Sequence, residues 1–232
     1  MSSKVRPAAG GGRWVDVDPE RLVAWLNAFA VRHGGYQAID VDESLQVGAV
    51  QVGAGDATML ELYAPPGAPQ RSDVEEFVVE ALRPRRLGLL LARQASVAVG
   101  IADGPTLVAS RVDTFYVQSR TAAGGWSQQR YARRRVNQAK AAAEGAAELA
   151  VRLLLPELPR LAALVTGGDR RTVEAILADP RLAPALPLRS GRFLAVGEPR
   201  RSVLEESVGL ARQVRILVRD PEPRPPVPTP AS

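Results

Sequence analysis

The 232-residue sequence predicts a mixed α+β chain: a mixed sheet carrying one long basic helix, preceded by a small α+β region. Three observations predict it. Between residues 87 and 120 come four β-rich runs divided by turn signals. A long alanine-rich stretch without helix breakers follows. After it the chain reads strand–helix, strand–helix to about residue 211. Apolar runs in that order are buried most simply in a mixed sheet flanked by helices.

The elements follow in chain order. Residues 1–12 are rich in Ser, Ala and Gly and are expected to be disordered. Residues 13–85 form the small N-terminal region. Asp18 and Pro19 open a helix that Gly34 and Gly35 close. Leu22, Trp25, Leu26 and Phe29 recur at spacings of three and four and give it one apolar face. His33, in its last turn, suits the negative end of the helix dipole and reads as a capping or surface residue. Strands are expected at 39–41, 45–52 and 58–63, with Gly53 to Asp56 as a turn. Ser72 and Glu75 fit a capping box for a helix over 73–82, and Pro84 stops it.

A domain is expected over 86–219. Its strands are 87–92, 96–102, 106–112 and 114–120, with Asp103-Gly104 as a hairpin signal. One helix is expected over 127–155, favoured by Ala141–Ala143 and Ala146-Ala147 and spanning about 43 Å. Pro156 and Pro159 close it. A strand at 161–165, a helix at 171–178 capped by Asp169, a strand at 192–196 and a helix at 202–211 complete the domain. Val214–Val218 reads as a last strand or an extension. Residues 220–232 form a proline-rich tail.

Composition excludes several chemistries. The chain has no cysteine, which removes disulfides, thiolate zinc sites and cysteine nucleophiles. His33 is the one histidine, so a multi-histidine metal site is impossible. No metal or cofactor is expected. No apolar run approaches the ~20 residues that cross a membrane. No signal peptide is evident, and a soluble cytoplasmic protein is expected. Net charge is +5 with a pI of about 10.2, which suggests a polyanionic partner. Its distribution is sharper than its size. From Arg120 to Lys140 there are six basic residues and no acid, so this block alone exceeds the net charge of the chain.

Within that block lies Gly124-Gly125-Trp126-Ser127-Gln128-Gln129-Arg130. Two glycines permit backbone conformations closed to other residues. Two neutral amides follow, then arginines at the head of the helix. Arg130, Arg133 and Arg134 share one helix face, with Arg135 on the next, and phosphate neutralisation is their natural reading. Like charges at this spacing destabilise an isolated helix, and a polyanion relieves that.

The order of parts from Leu87 to Ala211 resembles the middle, catalytic domain of the eukaryotic and archaeal class I peptide-release factors, an RNase H-like fold. There a Gly-Gly-Gln tip lies between a β-meander and a long basic helix, and continues Ser-Ala-Leu-Arg-Phe-Ala-Arg-Leu-Arg. Here Ser127, Arg130, Tyr131, Ala132, Arg133 and Arg135 stand in the matching places. Trp126 takes the position of the glutamine, which is displaced to Gln128. The chain thereby resembles the VLRF-type branch of release-factor-like peptidyl-tRNA hydrolases, its actinobacterial members above all. Residues 13–85 lie outside the resemblance.

The resemblance implies hydrolysis of the ester between a nascent peptide and tRNA, in ribosome rescue or quality control. The implied partners are the rRNA of the large ribosomal subunit and peptidyl-tRNA, with no membrane and no DNA. A carboxamide is no general base near pH 7, but it can orient water. Backbone N–H groups of the tip can donate to the oxyanion. The implied catalytic set is Gln128 with Gly124 and Gly125, Gln129 being the alternative amide. Trp126, Ser127, Arg130, Arg133, Arg134, Arg135 and Lys140 are the implied RNA contacts, Trp126 by stacking on a base or else by packing on the helix start. Two other readings stay open: a ribosome-binding factor that kept the scaffold and lost the chemistry, and a metal-dependent nuclease using Asp103 and Asp113.

Overall fold

The computed structural model describes residues 4–39, 49–69, 71–94, 96–115 and 127–221, with the helical backbone alone for 127–136. The chain divides into two compact units.

The first unit is built on a six-stranded antiparallel sheet. Its strands are β1 (Lys4–Pro7), β2 (Arg13–Val17), β3 (Tyr36–Ala38), β4 (Ala49–Ala54), β5 (Met59–Tyr63) and one from the far end of the chain, Val214–Arg219. The order is β1, β2, Val214–Arg219, β5, β4, β3. Period-two alternation explains it: Val15, Val17, Val50, Val52, Leu60, Leu62, Val214, Ile216 and Val218 point to one buried face. Two helices cover that face, α1 (Leu22–His33) and α2 (Val74–Leu82). α1 buries Leu22, Leu26 and Phe29, each contributing about 2 kcal/mol. Gly34, at φ 72°, ends it in the left-handed conformation.

Three expectations are corrected here. Lys4–Pro7 lies within the segment expected to be disordered, yet pairs with β2, Val5 opposite Val15. The domain drawn over 86–219 loses its last strand: Val214–Arg219 is central in the first sheet, bonded to β2 and β5, because its alternating apolar residues complete that core. The second unit accordingly ends at Arg212. The cap of α2 is Asp73, whose carboxylate accepts from Glu76 N–H at 2.9 Å, not Ser72. Of the strands expected at 39–41 and 45–52, residues 40–41 and 45–48 lie outside the described residues, and 49–52 fall in β4.

His33 is not a bare surface residue. Its ring stacks on Phe29 with centroids 4.2 Å apart. Its Nδ1–H donates to Asp56 at 2.8 Å, and Asp56 also accepts from Thr58 N–H at 3.0 Å. The hydrogen bond from His33, then those from Thr58, hold the Asp56 carboxyl down at about 2. A depressed acid stabilises the fold above its unfolded pKa of 3.8 and loses that contribution as pH falls through about 2. Asp56→Asn therefore lowers the melting temperature at pH 6, and the difference from wild type closes between about pH 4 and pH 2. Calorimetry across that window checks it; a difference that stays constant to pH 2 refutes it.

The second unit holds a mixed five-stranded sheet. It comprises β6 (Arg86–Arg93), β7 (Ser96–Asp103), β8 (Thr106–Thr114), β9 (Ala163–Gly168) and β10 (Arg189–Leu194), in the order β10-β9-β6-β7-β8. β6, β7 and β8 form an antiparallel meander, and β6, β9 and β10 run parallel. This is the mixed sheet expected. β8 continues through Asp113 to Thr114 as one strand, so no break falls at 113; of the strand expected over 114–120, residues 116–120 lie outside the described residues. Helices α3 (Ser127–Leu154) and α4 (Arg170–Leu177) cover one face, with Leu90, Val97, Val99, Ala146, Ala150, Leu154, Val173 and Ile176 between them. α5 (Arg201–Arg212) covers the other through Leu204, Val208 and Ala211. A 3-10 run, Pro180–Leu188, fills the stretch between α4 and β10 that carries no sequence periodicity.

Candidate functional site

Residue positions fix the direction of α3. At one end Leu154 lies against Gly88, near the start of β6. At the other, a Cβ on Gly145 would lie 2.5 Å from the ring of Phe115, so glycine alone lets that ring seat on the helix. Phe115 follows Thr114, which pairs with Ser96, which in turn sits beside Arg93 at the end of β6. α3 thus runs opposite to β6, and Gly145 is level with the carboxyl edge of the parallel strands.

Everything before Gly145 continues past that edge. Ala142 is the first residue of the described part of α3 to be buried; Asn137 and Ala139 to Ala141 are exposed, and Gln138 is half-buried. Residues 127–141 make about 22 Å of helix ahead of Ala142. A helix of about fifteen residues is marginal alone, and here residues 127–141 are continuous with a stem that is packed from Ala142 onward and supplies the nucleus.

The sequence-derived residues map onto this arm. Ser127 opens α3, and Gln128, Gln129, Arg130, Arg133, Arg134 and Arg135 occupy its first three turns. Gln128 and Gln129 are one step, about 100°, apart around the axis. Arg130, Arg133 and Arg134 share a side of the helix by register. Gly124, Gly125 and Trp126 lie outside the described residues. Lys140 is exposed, with Nζ 3.9 Å from Glu144 one turn on, a surface pair too weak to withdraw it from solvent.

The two acids of the nuclease reading are separated. Asp103 pairs with Thr106 at one end of the β7–β8 hairpin and Asp113 with Val97 at the other, about 20 Å along the strand. Asp103 is bound to Arg86 at 3.0 Å, and Asp113 accepts from Thr114 N–H. They cannot share a metal ion. A groove of about 420 Å³ beside α3 includes Arg111, Asp113, Glu148 and Arg152. Arg181 and then Arg152 hydrogen-bond the Glu148 carboxylate and hold its pKa low, which makes it a weaker base than a free carboxylate.

A family model described as the Actinobacteria/chloroflexi VLRF1 release factor matches residues 85–217. The chain belongs to this family. The VLRF1 match covers residues 85–212 of the second unit and reaches into the strand Val214–Arg219 of the first sheet. No curated protein matches the chain. Among solved structures it is similar to an archaeal translation termination factor, aRF1, with 11% identity over 85% of this chain and 63% of that one, at a TM-score of 0.40. It is also similar to Dom34 of S. cerevisiae, a translation termination-like factor involved in RNA quality control pathways, with 8% identity over 89% and 66% of the two chains and a TM-score of 0.34. The VLRF1 chain therefore spans less than two thirds of the first of these. No helix among the described residues is long and apolar enough to cross a membrane.

Proposed function

We propose that this VLRF1-family chain is a peptidyl-tRNA hydrolase that cleaves the peptide–tRNA ester in the peptidyl-transferase centre of the large ribosomal subunit, in rescue of stalled chains. One observation carries the reading: α3 begins at Ser127, directly behind Gly124-Gly125, and bears Gln128, Gln129, Arg130, Arg133, Arg134, Arg135 and Lys140 on the residues ahead of Ala142, where burial is first seen. A rod about 22 Å long suits delivery of the tip into a narrow RNA cavity that the body cannot enter. Its arginines supply the phosphate neutralisation that such a path requires.

In this reading Gln128 orients the attacking water through its neutral amide, and Gln129 faces elsewhere. Gly124 and Gly125 let the tip backbone approach the ester, where N–H groups donate to the developing oxyanion. Trp126 and Ser127 contact RNA bases and phosphates. Proton transfer falls to water or to RNA hydroxyls. The test is release of peptide from peptidyl-tRNA on purified large subunits, with the Gln128→Ala protein as its comparison.

The double change Arg133→Ala with Arg134→Ala is expected to weaken binding to large subunits. The slope of log K against log salt then falls by about 1.5, for two lost phosphate contacts. Equilibrium binding at three salt concentrations checks it; an unchanged slope removes that face from the RNA interface.

Trp126, standing where release factors have glutamine, favours a second reading: a ribosome-binding factor on the same scaffold without the chemistry. Wild-type protein that binds large subunits and never releases peptide decides for it.

A further inference from the structure

Four arginines meet at the carboxyl edge of β6, β9 and β10, and the sequence gives no hint of their meeting. Arg93 ends β6, and its guanidinium donates to Val196 O at 3.4 Å, beyond β10. Arg170 and Arg171 open α4 directly after β9, whose Gly168 pairs with Ala92. The Arg170 guanidinium lies 4.2 Å over the ring of Phe193 in β10. Arg200 precedes α5, on the segment that Glu198 ties to Ser96 by a 2.6 Å hydrogen bond. All four are exposed.

Their charges are left open. Several other arginines of this unit are matched: Arg86 with Asp103 and Glu157, Arg181 with Asp179 and Glu148, Arg189 with Glu174. Among the described residues Arg93, Arg170, Arg171 and Arg200 form no salt bridge. Two carboxylates share this edge, each with another task, and Glu174, one turn along from Arg170 and near enough to feel its charge, is bound by Arg189. Asp169 caps α4 by accepting from Thr172 N–H and Oγ1, both at 2.8 Å, with Arg171 and Arg93 near enough to favour its charge. Glu198 holds Ser96. Four cations against two committed anions leave the rim positive.

This is the edge past which α3 projects. We propose that Arg93, Arg170, Arg171 and Arg200 form a second contact for RNA phosphates, at the root of the arm, seating the body on the rim of the cavity that the arm enters. The inference rests on the RNA-directed reading of α3. Guanidinium groups match phosphate oxygens with paired donors, and the cluster is arginine throughout. Its exposed neighbours Gln94, Ala195 and Gly197 are small or polar, and the one aromatic ring of the cluster, Phe193, is half-buried beneath Arg170, which favours RNA over an acidic protein.

The test uses the full chain carrying Arg171→Gln and Arg200→Gln, neither of which bonds the fold. Binding is measured to purified large ribosomal subunits and to a 30-base-pair RNA duplex, across salt. Affinity is expected to fall roughly tenfold on both, with the salt slope reduced by about 1.8 on the duplex. Release per bound complex at saturating protein stays unchanged, separating this rim from the tip. Wild-type affinity and slope in the variant overturn the rim contact and leave the hydrolase reading standing. An equal loss on polyglutamate, used as an acidic-protein probe, overturns the assignment to RNA. Failure of the wild type to bind either RNA overturns both readings.

Discussion

Gln128→Ala lowers the single-turnover rate of peptide release on large subunits by about 10²- to 10³-fold, with binding unchanged. The magnitude follows from the task proposed for the side chain. An amide that only orients water contributes by excluding unproductive poses, and losing it costs about 3–4 kcal/mol of barrier at 1.4 kcal/mol per decade. Alanine keeps the helix, so affinity, which rests on the arginines, should hold. Gln129→Ala, 100° around the axis, is expected within tenfold of wild type. The assay reads peptide released from peptidyl-tRNA at saturating protein. If Gln129→Ala is the dead variant, the amide is misassigned and the activity stands. If both variants release at the wild-type rate, neither amide orients the water. The rate should also lack a titration between pH 6 and 8, because a carboxamide carries no proton to lose in that range.

Periodic elements with local signals were legible in the sequence. α3 was expected over 127–155 and spans Ser127–Leu154, because alanine propensity and a proline stop act within one segment. The β7–β8 turn was legible from Asp103-Gly104, since Gly104 takes φ 53° there. The cap by Asp169 was legible for the same local reason. What escaped is set by distance in sequence. Val214–Arg219 alternates like any strand, and nothing local says that its partners are residues 13–17 and 59–63. The capping box at Ser72 failed because Asp73, one residue on, is the stronger acceptor.

The candidate site divides along the same line. The arm's residues are contiguous, so their types and spacing could be read directly. Its root could not. Gly145 looks like a flaw in an alanine helix, costing about 1 kcal/mol, until Phe115 is placed against it. The rim arginines come from 93, 170–171 and 200, and only the parallel pairing of β6, β9 and β10 brings them to one edge. His33, read as a capping or surface residue, proved to be a cross-link between α1 and the β4–β5 turn, its partner Asp56 lying 23 residues away.

Gly168→Ala destabilises the second unit by about 3 kcal/mol. Gly168 takes φ 99°, where an L side chain is strained, at about 1–2 kcal/mol. A Cβ there would also lie 2.2 Å from the carbonyl oxygen of Ala92, a backbone atom of the neighbouring strand that no rotamer change can move. Relieving that overlap separates β9 from β6 and costs a further 1–3 kcal/mol. The bond from Asp169 N–H to the same carbonyl, 2.8 Å, is strained with it. Amide hydrogen exchange in β6 and β9 reads the loss as faster opening, about 10²-fold, without assuming that both units unfold together. Gly191→Ala is the control: nothing lies within 4 Å of its Cβ, so it should stay within ~0.5 kcal/mol of wild type. Equal protection in the two variants would show that the turn yields freely. Arg93 follows Ala92 at the end of β6 and Arg171 lies in the first turn of α4 just after Gly168, so the same change should displace them and weaken binding to the RNA duplex at a temperature where the unit is still folded. Stability lost with affinity retained would mean that the rim does not depend on the geometry Gly168 sets.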